Sequence, residues 1–469
     1  MRGHLLRRAR VAGRRPGRGE QRPQGRGVVA LVVSIVCGVC GAGASSALAQ
    51  GTPFQRGDLF LTGNGSLQEF SPSGQLQQTI PGTSGTTALC FDPSGDHLIL
   101  PGVGLFDASG RLLPSNWRSV TNGSRCVADG FGHVYVSAGA RGFVSYSITK
   151  YDITGNLLQA FDITDPENHV LAIDLAPDEC TIYYGSSGAA AGTIRRLNVC
   201  TNTQGPPFNS DNFVDDLRVL PNWQVLVTDD PYARLEDASG QVIQTYNPSA
   251  SDLGVDLRTM GLDPSGTSFW VCCTWVPPTP TVSQAFRFDV ASGHLLTNWS
   301  PNSGGGGGVR FSPIAAYGPP LFGDANVEST IDAGPAGTAE AFSAPARYSG
   351  QMTRLHLFVD SSSTAGDAVV GIYSDRNGHP GELRGQGTIT NVIPGSWNYI
   401  DLTSMSVSPG RRYWIAVLGP RGGGTLRFRH AMGGARSEAS ARSNLTALPA
   451  HWSRAARRPG AGPLSAYGS

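Results

Sequence analysis

Four arginines stand at or near the starts of apolar, fairly small-residue segments: Arg125, Arg218, Arg258 and Arg310, with Asp174 and Asp215 as acidic neighbours in the same kind of segment. Guanidinium groups brought to one place can receive an anionic ligand through paired N–H donors. The same groups can equally be consumed by aspartates or backbone carbonyls, a purely structural use, and the sequence leaves both readings open. Other chemistry is thinly represented. There is no P-loop, dinucleotide fingerprint, Gly-x-Ser-x-Gly elbow or His-Glu-x-x-His. The Gly304 to Gly308 run leads into an expected strand rather than a helix, so it reads as a linker and not a phosphate cradle. No catalytic residue and no metal ligand set is assigned from the sequence.

The elements that must position these arginines are announced by a short repeat. An apolar residue, usually an Asp, then Pro or Ala, then Ser/Thr-Gly recurs in Phe91-Asp-Pro-Ser-Gly95, Phe106-Asp-Ala-Ser-Gly110, Tyr151-Asp-Ile-Thr-Gly155, Leu235-Glu-Asp-Ala-Ser-Gly240, Leu262-Asp-Pro-Ser-Gly266 and Phe288-Asp-Val-Ala-Ser-Gly293. Degenerate copies begin at Val127, Leu175, Leu197 and Leu220. Each copy predicts a hairpin turn: the Asp carboxylate bonds the backbone ahead of it, and Gly takes the positive φ that sends the chain back. Asp92, Asp152, Asp263 and Asp289 are therefore read as turn formers, and His97, His133 and His294 fall on the rim beside such turns rather than at an axis.

Two kinds of turn alternate, which gives four strands per unit and innermost strands beginning near residues 87, 124, 171, 216, 257 and 309. That spacing fits a radial repeat. The last unit lacks its outer strands, and the segments 57–62, 67–70 and 75–80 lack an inner one. Joining them closes the ring and removes unpaired sheet edges. The expected fold is all-β: a six-bladed β-propeller over about residues 50–318, closed by N-terminal strands. From Leu321 the repeat stops, and alternating segments such as Met352 to Val359, Asp367 to Tyr373, Ser396 to Leu402 and Arg412 to Val417 predict a jelly-roll-like β-sandwich over 319–469. Trp397, Tyr399, Tyr413 and Trp414 lie within these strands, where core packing outweighs sugar stacking for most of them. Residues 436–469 read either as a partly disordered polar tail or as a closing strand.

Nine arginines against Glu20 open the chain, an apolar run from Val28 to Val39 follows, and Ala47-Leu-Ala49 supplies a small-residue cleavage site. Residues 1–49 are thus read as a signal peptide, with no membrane span after cleavage and a secreted or cell-surface destination. Removing those nine arginines and one glutamate from 36 basic and 35 acidic residues leaves the rest acidic by seven, which argues against nucleic acid as a partner. Six cysteines remain, compatible with disulfides in an exported chain. Cys180 and Cys200 occupy the two turns of one blade and are expected to pair. Cys90 and Cys126, in neighbouring inner strands, are bridged or are buried thiols with equal weight. Cys272 and Cys273 read as a vicinal disulfide or simply as adjacent residues ending a strand.

With these residues in place the propeller part resembles exported bacterial six-bladed propellers related to NHL-repeat and gluconolactonase/regucalcin-like proteins, through Asp178-Glu-Cys-Thr-Ile-Tyr-Tyr184, Arg196-Leu-Asn-Val-Cys-Thr201 and Leu217-Arg-Val-Leu-Pro221. The C-terminal part is similar to accessory β-sandwich modules of bacterial surface proteins, through Val370-Gly-Ile-Tyr-Ser-Asp375, Pro380-Gly-Glu-Leu383, Gly395-Ser-Trp-Asn398 and Gly462-Pro-Leu-Ser-Ala-Tyr467. One scaffold of this kind hosts both enzymes and binding modules. The resemblance implies, as an alternative, a lactonase whose Glu, Asn and Asp hold a divalent metal such as calcium in the channel, or a lyase with a channel histidine, and neither set can be placed on this sequence. The preferred expectation is an exported, non-catalytic binding or cell-surface protein, with the propeller as an interaction platform and the sandwich as an accessory module for a carbohydrate, peptide or cell-wall component.

Overall fold

The repeat builds six four-stranded antiparallel sheets. The structure is a computed structural model that describes residues 51–469 except 64–65, 85–87, 121–122, 139–146, 164–169, 187–193, 210–213, 230–231, 248–256, 273–283 and 301–313. The innermost strands of blades one to five are Cys90–Phe91, Gly123–Ala128, Val170–Leu175, Asp216–Val219 and Thr259–Leu262, each followed outward by three further strands. Blade six joins the two ends of the ring. Its inner strand Ile314–Ala316 pairs with Leu59–Gly63 in the register Leu59↔Ala316, Phe60↔Ala315 and Leu61↔Ile314, and Ser66–Phe70 and Leu76–Ile80 complete the sheet. Among the described residues the closing strand is Ile314–Ala316, and the segment near 309 where it was expected to begin lies outside them.

The turns form as their composition dictates. In the blade-five copy, the Asp263 carboxylate accepts hydrogen bonds from the Ser265 backbone N–H (3.0 Å) and hydroxyl (2.7 Å), while Gly266 N–H donates to the Asp263 carbonyl. Gly266 sits at φ +68°, where a Cβ is strained. Packing between blades follows the two-residue period of a strand. In Val225–Asp229, for example, Leu226 packs toward blade five while Val225 and Val227 pack toward blade three, so both faces of the sheet are buried.

After the ring, eleven strands from Phe322–Gly323 to Ala466–Gly468 form one hydrogen-bonded sheet network, consistent with a sandwich. Asp367–Asp375 and Arg412–Leu418 are buried on both faces: Val370, Ile372, Ile415 and Val417 enter one apolar cluster, and Val369, Tyr373, Trp414 and Ala416 enter another with Leu445, Leu448 and Trp452. Residues 436–469 carry the end of Arg427–Ser440, Arg454–Leu464 and Ala466–Gly468, and so take part in the sheet. Trp397, Tyr413 and Trp414 are buried, whereas Tyr399 is half-buried.

Candidate functional site

The inner strands of blades two to five bring most of the charged residues singled out above into one cluster. Asp216, which opens the inner strand of blade four, is only 1% exposed and is its centre. Its carboxylate accepts a hydrogen bond from Arg218 Nη1 (2.7 Å) and from the backbone N–H groups of Leu217 (3.0 Å) and Met260 (3.0 Å). Arg125 Nε, from blade two, lies 3.5 Å from the same carboxylate, and Arg125 Nη2 donates to the Asp215 carbonyl (3.4 Å). Since blades two and four are not neighbours, this guanidinium reaches across part of the channel. Arg218 Nη2 donates onward to the Met260 carbonyl (2.5 Å) of blade five, and Arg258 Nη1 stands 3.6 Å from Asp215 Oδ1. Asp174, on the inner strand of blade three, accepts from the Val219 N–H (2.7 Å). Burial pushes the Asp174 carboxyl up to about 6, against the pull of Arg218 and of that N–H.

Five of the six channel residues expected from sequence are therefore in or beside this cluster, and Arg310 lies outside the described residues. The arrangement ties blades together. Each arginine faces a carboxylate or a carbonyl, and such pairing leaves little net positive charge to attract an anion. Among the described residues, no three His, Cys, Asp or Glu side chains come together as a metal-binding group. The histidines at the turns are held locally: His133 Nδ1 is 2.8 Å from Asp129 and His97 Nδ1 is 3.4 Å from Asp92.

Covalent links reinforce the same strands. Cys90 and Cys126 are bridged, joining the inner strands of blades one and two, and Cys180 and Cys200 are bridged across the two turns of blade three. Cys272 is also disulfide-bonded, while Cys273 lies outside the described residues.

A second constellation was not legible as a site in the sequence. The first-hairpin turns of the blades meet the C-terminal sheet. The Val327 N–H donates to the Gly130 carbonyl (2.7 Å), the Trp397 N–H donates to the Pro177 carbonyl (2.8 Å), and Arg347 pairs with Asp96 (3.0 Å). At this seam Glu179 is buried and accepts from the Gly130 N–H (2.8 Å) and from Trp397 Nε1 (2.7 Å). Burial, with Asp129 and Asp178 nearby, raises its carboxyl to about 8. One signal was present in the sequence: Glu179 stands where a regular copy has Gly, and it adopts φ +57°. A non-glycine residue kept in that region marks a position held by its surroundings.

No protein-family model matches the chain, and no curated protein matches it. Solved structures similar to it include the β-propeller domain of Myceliophteria thermophila Cps50 (Swd1), at 12% identity over 54% of this chain and 86% of that one, with a TM-score of 0.38. A chain of a nidogen/laminin complex is similar at 10% identity over 56% and 99%, TM-score 0.40. Kuenenia stuttgartiensis hydrazine synthase is similar at 10% identity over 67% and 64%, TM-score 0.30.

Proposed function

We propose that the protein is an exported, non-catalytic binding protein of the cell surface or exterior, in which the propeller serves as a platform and the C-terminal sheet as an accessory module for carbohydrate or cell-wall material. The observation that carries this reading is the fate of the channel charges. Arg125, Arg218 and Asp216 are engaged with one another and with the backbone, so they hold the ring together rather than present reactive groups. The Cys90–Cys126 and Cys180–Cys200 disulfides are compatible with an oxidising compartment. Among the described residues no helix is long and apolar enough to cross a membrane. The likeness of the Asp178 to Tyr184 and Leu217 to Pro221 stretches to NHL-repeat and gluconolactonase-like propellers is part of the proposal as a source of scaffold, not of activity.

The full chain, expressed with its leader and recovered from the exported fraction, is mixed with insoluble cell walls and polysaccharides, and its melting is followed separately with divalent cations. Retention on wall or polysaccharide, with melting unmoved by calcium, is expected. Stabilisation by calcium alone, together with hydrolysis of simple lactones, overturns the proposal in favour of a metal-dependent enzyme.

A further inference from the structure

The seam between propeller and C-terminal sheet is not closed all round. Beside blades four and five it opens into a cleft of about 470 Å³, within the usual size of small-molecule sites (about 300–1,000 Å³). One wall is propeller: the turn bearing Pro221, Asn222 and Gln224, and Val290 in the second turn of blade five. The other is Arg354 and Tyr399, on the paired strands Gly350–Val359 and Ser396–Val407.

Arg354 is held in place before any ligand arrives. Its Nε donates to Asp401 Oδ1 at 2.7 Å, directly across the strand pair, and its guanidinium carbon lies 4.2 Å from the centre of the Tyr399 ring. Gly266, in the blade-five turn, lies beside the group: a Cβ there would stand 3.6 Å from Nη1, in ordinary van der Waals contact. Among the described residues neither terminal nitrogen of Arg354 has a hydrogen-bond partner, although the side chain is only 17% exposed. A planar donor fork that is already oriented loses little freedom on binding, so its hydrogen bonds count more fully toward affinity.

The surroundings decide what the fork receives. Asp401 offsets the Arg354 charge and Asp289 stands in the same cleft, so the lining has no positive excess to select an anion. Asn222 and Gln224, hydrogen-bonded to each other at 2.8 Å and 3.2 Å, present amide donors and acceptors, and Pro221 and Val290 add apolar surface. A donor fork, mixed amides and a short apolar floor match the paired hydroxyls and C–H faces of a sugar. We infer that this cleft is a binding site for a neutral saccharide. The inference rests on the binding reading above and gives it a location and a ligand class.

Affinity electrophoresis of the full chain through gels containing β-glucan, xylan or mannan, with polygalacturonate as the acidic counterpart, tests it. At least one neutral polysaccharide should retard the protein, and retardation should persist in about 0.5 M NaCl, where exposed charges are screened. Arg354→Lys keeps the cation and loses the fork, and Asn222→Ala alters an exposed turn residue. Each should weaken retardation about tenfold or more, corresponding to loss of a sizeable polar contact. Should Arg354→Lys melt early, Asn222→Ala decides. Unchanged retardation of folded variants by a neutral polysaccharide overturns the cleft while leaving the protein a carbohydrate binder. Retardation by polygalacturonate alone, abolished by salt, overturns the neutral ligand class. No retardation and no retention on cell walls overturns both inferences.

Discussion

Asp216→Asn is the sharpest perturbation of the channel cluster, because it removes one charge and almost no volume. In the native chain that carboxylate faces Arg218 at 2.7 Å and Arg125 at 3.5 Å and also receives the N–H groups of Leu217 and Met260. An amide retains one acceptor oxygen, so some of the backbone bonding survives. What is lost is the charge between two guanidinium groups whose side chains are 20% and 15% exposed. Breaking a buried pair by removing one partner costs roughly 3–5 kcal/mol, and partial contact with water favours the low end, about 3 kcal/mol. Arg125→Gln should cost less, since Arg218 keeps Asp216. The double variant should cost less than the two losses added, because the second change removes a charge already orphaned by the first. Urea unfolding followed by tryptophan fluorescence, resolved into separate transitions where the propeller and sheet unfold apart, reads these differences. If Asp216→Asn unfolds within about 0.5 kcal/mol of the native chain, the charges are not structural, and the channel arginines regain their claim to an anionic ligand.

Glu179→Gln should flatten part of the pH dependence of stability. A carboxyl raised to about 8 keeps its proton in the folded chain after the unfolded chain has lost it, so stability falls as pH rises from about 4.5 to about 8, and the native-minus-variant difference should favour the native chain more at about pH 6 than at about pH 9. Glu69 and Glu328, both raised to about 7 chiefly by burial, act in the same direction, whereas buried His356, lowered to about 3, acts oppositely below its ordinary value; a difference that is constant with pH refutes the assignment to Glu179. Replacing Cys180 and Cys200 together by serine opens a link across 20 residues and should cost about 3 kcal/mol, read by urea unfolding with and without reductant; an equal loss on reducing that double variant would place the stabilisation in another bridge.

Blade number and ring closure were legible because the turn chemistry is local. Asp, Pro or Ala, Ser and Gly specify a hairpin without help from the rest of the chain, and their alternation counts strands. Strands without an apolar alternation were harder to see. Pro380–Thr390 reads Pro-Gly-Glu-Leu-Arg-Gly-Gln-Gly-Thr-Ile-Thr, and it is a strand because Asp367–Asp375 supplies a hydrogen-bonding partner, not because of its own pattern. Asp216 opens an expected inner strand, but nothing local singles it out from Asp215 beside it. Its role depends on Arg125, 91 residues earlier, and Met260, 44 residues later, which no local window relates.

The degenerate copies of the repeat prove more informative than the regular ones. A regular turn ends in Gly at positive φ and carries no side chain toward its neighbour. The blade-three copy keeps the same backbone conformation with Glu179, and the blade-four copy keeps it with Trp223 at φ +66°. Holding a side chain there costs on the order of 1 kcal/mol or more, so the surroundings must offset it. For Glu179 the offset is visible as two hydrogen bonds, one to the C-terminal sheet and one to the blade-two turn. The turns of blades one to three thus hold the sheet, through Asp96, Gly130, Pro177 and Glu179, whereas Trp223 of blade four packs against blade three, and the cleft beside Arg354 opens where the turns of blades four and five meet the strands of that sheet. A binding function at the seam follows more naturally from this asymmetry than one at the axis, where every described arginine already faces a protein partner.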